Sequence, residues 1–273
     1  MDGSRLYSVE GTERLHGSGA YFYQLRAQVS IVQQGLVPDA LARRALPART
    51  GEAVARVTTV DAQTEELRAA HDVLSEFYAQ RLAGALDRMP EDRAVLGLFC
   101  ELVLGADIGT NVGDIGCGTG RLDPFLAARG LSPRGVDLSP EMIRVARREQ
   151  PGFEYEVADL RELPFPDASL AGIVCWFSLI YLAPSDRPAA FAELARVVKP
   201  GGYLVTAFKA GDGSLRRGGR GTGLGVEFDI YWLSPDEMER RVHDAGFATV
   251  FWGGIPSEKE GTSTGGYLIA RKA

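Results

Sequence analysis

The sequence predicts an α/β fold in which a mainly parallel sheet is wound with helices over residues 66–273. Three observations predict it. From residue 111 onward, short β-rich runs alternate with stretches of helical character. Glycines at 116, 118 and 120 lie between the first of these runs and the first helix. An aspartate, Asp137, ends the second run about 20 residues beyond Gly116, the spacing at which nucleotide-binding sheets place a ribose acceptor.

The elements follow in order. Residues 111–115, Asn-Val-Gly-Asp-Ile, read as a first strand. The helix at 122–129 is closed by Gly130, a residue suited to the left-handed position past a helix end. Residues 134–136 form a short second strand. Ser139 then caps a helix that begins with Pro140, where the missing N–H costs nothing. A third strand is expected at 153–157 and a fourth at 171–176, the latter apolar throughout as a strand covered on both faces should be. From Ser185 a helix places Phe191, Leu194, Ala195 and Val198 on one face, and Lys199-Pro200-Gly201-Gly202 turns the chain into a fifth strand at 203–208. Ser234-Pro235-Asp236-Glu237 is a capping box for a helix running to Ala245 and closed by Gly246. Strands at 247–251 and 266–271 finish the chain, their polar link compatible with antiparallel pairing. Upstream, 65–82 and 92–104 read as helices. Tyr21, Tyr23, Leu25, Ala27, Val29 and Ile31 alternate as in a strand, yet Tyr21, Leu25, Val29 and Val32 also share a helix face. The glycine- and arginine-rich segment 216–221 reads as a mobile loop.

Composition narrows the function. A chain of 273 residues can bury a full core without disulfides or metals. Its formal charge of −6 gives no basic footprint for nucleic acid. Cys100, Cys117 and Cys175 are odd in number and far apart, so no metal site is expected and a reducing, cytoplasmic setting fits. Neither a secretory signal nor an apolar run long enough for a bilayer is legible, so no membrane partner is expected.

The glycine segment discriminates between ligands. Counted from Gly116, the dinucleotide pattern G-x-G-x-x-G would need glycine where Arg121 stands. Asp114, beside the loop, would repel a pyrophosphate but could accept hydrogen bonds from an α-ammonium group. Asp137 can take both ribose hydroxyls. After the third strand, Asp159 and the backbone of Leu160 could read an adenine edge. These features favour a cationic nucleoside over two phosphates, and disfavour a nicotinamide-dependent oxidoreductase.

Taken together, several segments resemble class I S-adenosylmethionine-dependent methyltransferases of the small-molecule type. They are Asp114-Ile115-Gly116-Cys117-Gly118-Thr119-Gly120, Asp137-Leu138-Ser139-Pro140, Leu163-Pro164-Phe165-Pro166-Asp167-Ala168-Ser169 and Leu194-Ala195-Arg196-Val197-Val198-Lys199-Pro200-Gly201-Gly202. The resemblance covers roughly residues 70–273. It implies a Rossmann-like, doubly wound, seven-stranded sheet with an antiparallel last strand, preceded here by a helical or irregular appendage at 1–65. It also implies S-adenosylmethionine as cofactor and S-adenosylhomocysteine as product. On this reading Asp114, Gly116, Cys117, Gly118 and Gly120 face the methionine part, Asp137 the ribose, Leu138 and Met142 the adenine, and Asp159 and Leu160 its edge. Trp176 and Phe177 flank the cofactor, and Tyr78 matches the second tyrosine of a family segment. Met142, Trp176 and Phe177 also suit ordinary packing.

For the acceptor, His71 stands where that family segment usually begins with tyrosine, and Tyr181 where many relatives carry histidine. These two are the candidate catalytic groups. Tyr21, Tyr23, Tyr181, Arg217 and Tyr231 are candidate substrate contacts, the arginine as part of a loop closing over an anionic or polar substrate. The expected activity is methyl transfer to an oxygen, nitrogen or carbon of a small metabolite, plausible in specialised metabolism, by a monomer or homodimer. Alternatives are a protein methyltransferase, or a protein using the cofactor for a different reaction. No N-P-P-[YF] motif for an extruded base follows the fourth strand, where Cys175-Trp176-Phe177-Ser178 stands. The appendage at 1–65 is expected to act as a lid or an exchanged arm, or to pack on its own domain.

Overall fold

The computed structural model of the chain describes residues 62–256 and 263–273. The readings made for residues 1–61, Tyr21 and Tyr23 among them, lie outside the described residues. Helix α1 (Ala62–Arg81) buries Ala70 and Leu74, four residues apart and so on one face. It runs through the expected boundary at 65/66 without a break. A short α2 (Ala85–Arg88) leads to α3 (Pro90–Gly105), which starts on proline and buries Val95, Leu96, Phe99, Cys100 and Val103 along one stripe. Strand β1 (Asn111–Ile115) follows, then α4 (Asp123–Ala127), β2 (Ser132–Asp137), α5 (Pro140–Glu149), β3 (Glu154–Val157) and β4 (Leu170–Trp176). The second half comprises α6 (Arg187–Val197), β5 (Val198–Phe208), β6 (Leu215–Gly218), β7 (Phe228–Tyr231), α7 (Pro235–Asp244), β8 (Phe247–Pro256) and β9 (Ser263–Lys272).

Seven strands form one sheet in the order β3-β2-β1-β4-β5-β9-β8. Pairing is parallel from β3 to β5, whereas β9 runs antiparallel to both β5 and β8. Every residue of β4 is buried, because apolar layers cover both faces. On one face Phe99 and Val103 of α3 pack with Val112, Val174, Val205 and Ile269. Gly172 admits this contact, since a Cβ there would stand 2.8 Å from the Phe99 ring. On the other, Phe191 and Leu194 of α6 and Met238 and Val242 of α7 pack with Ile173, Cys175, Leu204 and Leu268. Full burial of each such side chain stabilises by about 1.5–3 kcal/mol before chain entropy is set against it.

The Lys199-Pro200-Gly201-Gly202 turn lies inside β5. The register jumps there from Leu170↔Val198 to Gly172↔Tyr203, with Gly201 at φ 79°. The segment read as a mobile loop is instead a hairpin, β6 pairing with β7 from Leu215↔Tyr231 to Gly218↔Phe228. Two of its arginines are neutralised in place. Arg217 pairs with Glu66 and Asp229, and Arg220 with Glu227.

This hairpin and α1 roof the carboxyl ends of the parallel strands. Asp72 of α1 reaches the start of α5, accepting from Ser139 Oγ at 2.6 Å and from the Glu141 N–H at 3.3 Å. Ser139 itself caps α5 by accepting the Met142 N–H. Asp72→Ala is expected to cost about 1–2 kcal/mol and lower Tm by roughly 2–8 °C in calorimetry. An unchanged Tm would show that this acid does not hold α1 to α5.

Candidate functional site

The parallel strands end together, and β1, β2 and β4 carry their last residues into one cavity of about 420 Å³, within the range that encloses a cofactor-sized ligand. Asp114, the penultimate residue of β1, has 1% of its surface exposed. Neither of its carboxylate oxygens meets a hydrogen-bond donor among the described residues. Desolvation pushes it well above the ordinary carboxylate range, the neighbouring Asp123 adds to the rise, and Arg121 opposes it. A buried carboxylate without donors is unstable as an anion unless a cation arrives.

The loop after β1 is shaped for a close approach. Gly116 and Gly118 have φ of 76° and 56°, left-handed values that favour glycine. A Cβ at Gly116 would collide with Ser178, whereas at Gly118 it would project into open space on the cavity wall. The Gly118 N–H donates to Asp137 Oδ2 at 2.8 Å, and the Ser139 N–H to Oδ1 at 2.9 Å. These bonds fix the Asp137 carboxylate at the end of β2 and leave it lone pairs for a ligand. Burial raises Asp137, and its backbone donors and His71 pull it back.

Of the residues singled out in the sequence, His71, Tyr78, Asp114, Gly116, Cys117, Gly118, Asp137, Leu138, Met142, Asp159, Leu160, Trp176, Phe177 and Tyr181 line this cavity. Gly120 is not part of the lining; it sits against the Tyr155 hydroxyl and closes the loop from behind. Asp159 is already engaged, since Arg161 donates to both its oxygens, at 3.0 Å and 2.7 Å. Phe177 has φ 59°, a strained conformation for a residue with a Cβ, and one that tends to occur at binding sites. Arg217 and Tyr231 lie outside the lining. Arg217 faces outward in its ion pairs, and Tyr231 is a buried core residue whose hydroxyl accepts from Gln63 Nε2 at 3.1 Å.

His71 and Tyr181 come together. Their rings are 4.9 Å apart, edge to face, and Phe228 is 4.9 Å from the imidazole on another side. His71 Nδ1 lies 2.9 Å from the Leu67 carbonyl. A carbonyl only accepts, so the proton resides on Nδ1 and the lone pair on Nε2. Burial lowers the imidazole below its usual value of 6.5, with Asp137 and Asp72 opposing, so it is neutral near pH 7. Tyr181 is the other candidate catalytic group. Its hydroxyl is hydrogen-bonded to that of Tyr78, and burial drives it well above 10. A hydroxyl held protonated in this way can donate to an acceptor and orient it.

Several lining residues escaped the sequence reading, Asp92, Arg121 and Lys209 among them. Asp92 of α3 accepts from Tyr267 Oη at 2.6 Å and from Trp176 Nε1 at 3.4 Å. Arg121 has a buried Nη1 with no acceptor, with Asp92 and Asp114 as its charged neighbours. Lys209 follows β5. Arg121 was noticed only for breaking a glycine pattern, while Asp92 and Lys209 carry no motif signal. Among the described residues no cluster of His, Cys, Asp or Glu is arranged to hold a metal, and no helix is long and apolar enough to cross a membrane.

Comparison with known proteins follows the same lines. Residues 112–202 match the family described as a methyltransferase domain. A malonyl-[acyl-carrier protein] O-methyltransferase of Serratia marcescens is 40% identical over 108 residues, covering 40% of this chain and 41% of that protein. A second such protein, from Pectobacterium atrosepticum, is 33% identical over 135 residues, covering 50% of this chain and 52% of its own length. The chain thus spans about half the length of these curated relatives, or less. Among solved structures, the 1,6-didemethyltoxoflavin-N1-methyltransferase of Burkholderia thailandensis is similar over 93% of this chain and 98% of its own, with a TM-score of 0.53 and 18% identity. At that identity the likeness speaks for the fold.

The acids beneath the loop also set a pH dependence. Asp123 is fully buried, and desolvation raises it to about 6, the Tyr155 hydroxyl opposing the rise. The folded value exceeds the unfolded one, so the native state holds more protons between roughly pH 4 and pH 6 and loses stability as pH rises through that window. Asp123→Asn is expected to be more stable than the parent at about pH 8 in denaturant titrations, with the gap closing toward pH 4. Equal stability at both values would contradict the burial of an ionisable group there.

Proposed function

We propose that this chain, which has the class I methyltransferase fold and a methyltransferase domain at residues 112–202, transfers the methyl group of S-adenosylmethionine to a small-molecule acceptor. The observation that carries the reading is Asp114, a buried carboxylate without a donor beside the open backbone of Gly118. An α-ammonium group supplies the missing donors and counter-charge. A pyrophosphate would bring more negative charge to the same wall.

When bound, the cofactor supplies an electrophilic methyl on a sulfonium. The protein's part is to hold, orient and keep out water. Asp114 takes the ammonium and Asp137 the ribose hydroxyls. Leu138 and Met142 pack on the adenine, while Leu160 meets its edge beside the Asp159–Arg161 pair. Trp176 and Phe177 flank the reacting region. His71 receives the acceptor's proton at Nε2, with the Tyr181 and Tyr78 rings packed beside it. Support for the base is its fixed tautomer and its neutrality. Residues from 62 onward belong to the catalytic unit on this reading, because Gln63 and Thr64 line the cavity, and residues 1–61 precede it. The three free, buried cysteines support a reducing cytoplasmic setting.

Two measurements test this. Asp137→Ala is expected to weaken S-adenosylhomocysteine binding about ten- to a hundred-fold in calorimetry; unchanged affinity removes the ribose role. For the base, the rate of labelled methyl transfer across a metabolite panel is expected to hold through pH 6.5, the usual imidazole value, and to fall only at more acidic pH, as the burial-lowered His71 takes up a proton. His71→Asn is expected to lower kcat about 10²–10⁴-fold and erase that limb. Full activity in this variant would end the assignment of His71.

A further inference from the structure

The cavity has two electrostatic ends. Four cationic side chains line it: Arg68, Arg121, Arg161 and Lys209. Arg68 pairs with Asp72, and Arg161 with Asp159 and Asp186. Arg121 has Asp92 and Asp114 as its charged neighbours. Lys209 has no carboxylate partner among the described residues. Its ammonium instead stands 5.3 Å from the centre of the Trp232 ring, and Arg216 stacks on the same ring at 4.2 Å. Two cations thus share one aromatic ring.

The lysine is built in place. The Leu233 N–H donates to the Lys209 carbonyl at 2.8 Å, and the Gly211 N–H to the Leu233 carbonyl at 3.0 Å, which fixes the backbone just past β5. Burial and the charge of Arg216 both pull the Lys209 ammonium below its usual range, a penalty that an arriving anion reverses.

We propose that Lys209, with Arg216 beside it on the Trp232 ring, binds a carboxylate group of the methyl acceptor. The inference rests on the methyl-transfer reading, which assigns the acidic wall to the cofactor. Sheet order separates Lys209 from the cofactor's own carboxylate. Asp114 is in β1, whereas Lys209 follows β5, two strands away in the order β1-β4-β5. At ordinary strand spacing that is about 10 Å. The ammonium and carboxylate of one amino acid share a carbon, so a carboxylate near Asp114 falls to Arg121 instead. An anion at Lys209 therefore belongs to a second molecule. A half-buried ammonium against an indole suits a carboxylate on an apolar body, because a monoanion gives up less hydration on reaching this wall than a dianionic phosphate does.

The test uses the full chain loaded with S-adenosylhomocysteine, titrated calorimetrically with benzoate, its neutral counterpart benzamide, and phenyl phosphate. Benzoate is expected to bind more tightly than either. Lys209→Met is expected to weaken benzoate at least about ten-fold while leaving S-adenosylhomocysteine within about two-fold, and Lys209→Arg to restore much of the loss. Equal binding of benzoate and benzamide overturns the proposal, as does tighter binding of phenyl phosphate. A Lys209→Met chain that loses affinity for S-adenosylhomocysteine overturns it too, by assigning the lysine to the cofactor. Failure of the parent chain to bind S-adenosylhomocysteine at all strikes the methyl-transfer reading itself, and is seen before any acid is added.

Discussion

A carboxylate with no donor, buried at the end of β1, constrains everything around it. Asp114 is enclosed by the sheet below, the glycine loop beside it and Arg121 nearby. Isolated burial of a charge is costly, and proteins answer by protonating the group or by pairing it. Here the geometry leaves one open side, toward the cavity. The left-handed glycines keep that side free of side chains, and Asp137 stands on the neighbouring strand in parallel register. Charge, loop shape and sheet order therefore specify the same ligand: cationic near β1 and hydroxyl-bearing near β2.

The roof ties recognition to the rest of the chain. Helix α1 brings His71 and Tyr78 over the cavity, and it is held at both ends by charge. Glu76 pairs with Arg144 and Arg148 of α5, and Glu66 with Arg217 of the hairpin. Exposed pairs of this kind contribute little singly. Their value here is positional, since they set α1 over β2 and β4, where the imidazole meets Tyr181. The hairpin's own contribution is Phe228, which packs on both rings.

Much of this was legible in the sequence, for identifiable reasons. Strand β4 is an unbroken apolar run, α5 and α7 announce themselves by Ser-Pro starts, and the glycine loop needs residues that few other structures require. Those signals are local. The hairpin was not legible, because Arg216, Arg217 and Arg220 with intervening glycines look like a solvated loop until Glu66, far away in the chain, supplies the partner. For the same reason Arg217 looked like a substrate contact. Tyr181 stands where many relatives carry histidine, which left a pocket wall, a base and an orienting group all open; its burial, which raises the hydroxyl, comes from tertiary neighbours. Asp92 and Lys209 sit in unremarkable contexts, and their roles come from tertiary neighbours alone.

The account stands on the need of Asp114 for a cation, and that is directly measurable. Calorimetric titration of the whole chain should compare S-adenosylhomocysteine with the analogue in which the α-ammonium is replaced by hydrogen. Loss of the ammonium is expected to weaken binding at least about ten-fold, since a charged hydrogen-bond set is removed and the acid is left buried alone. Equal affinities for the two ligands would mean that the carboxylate beneath the loop recognises nothing, and the interpretation of the cavity would fall with it.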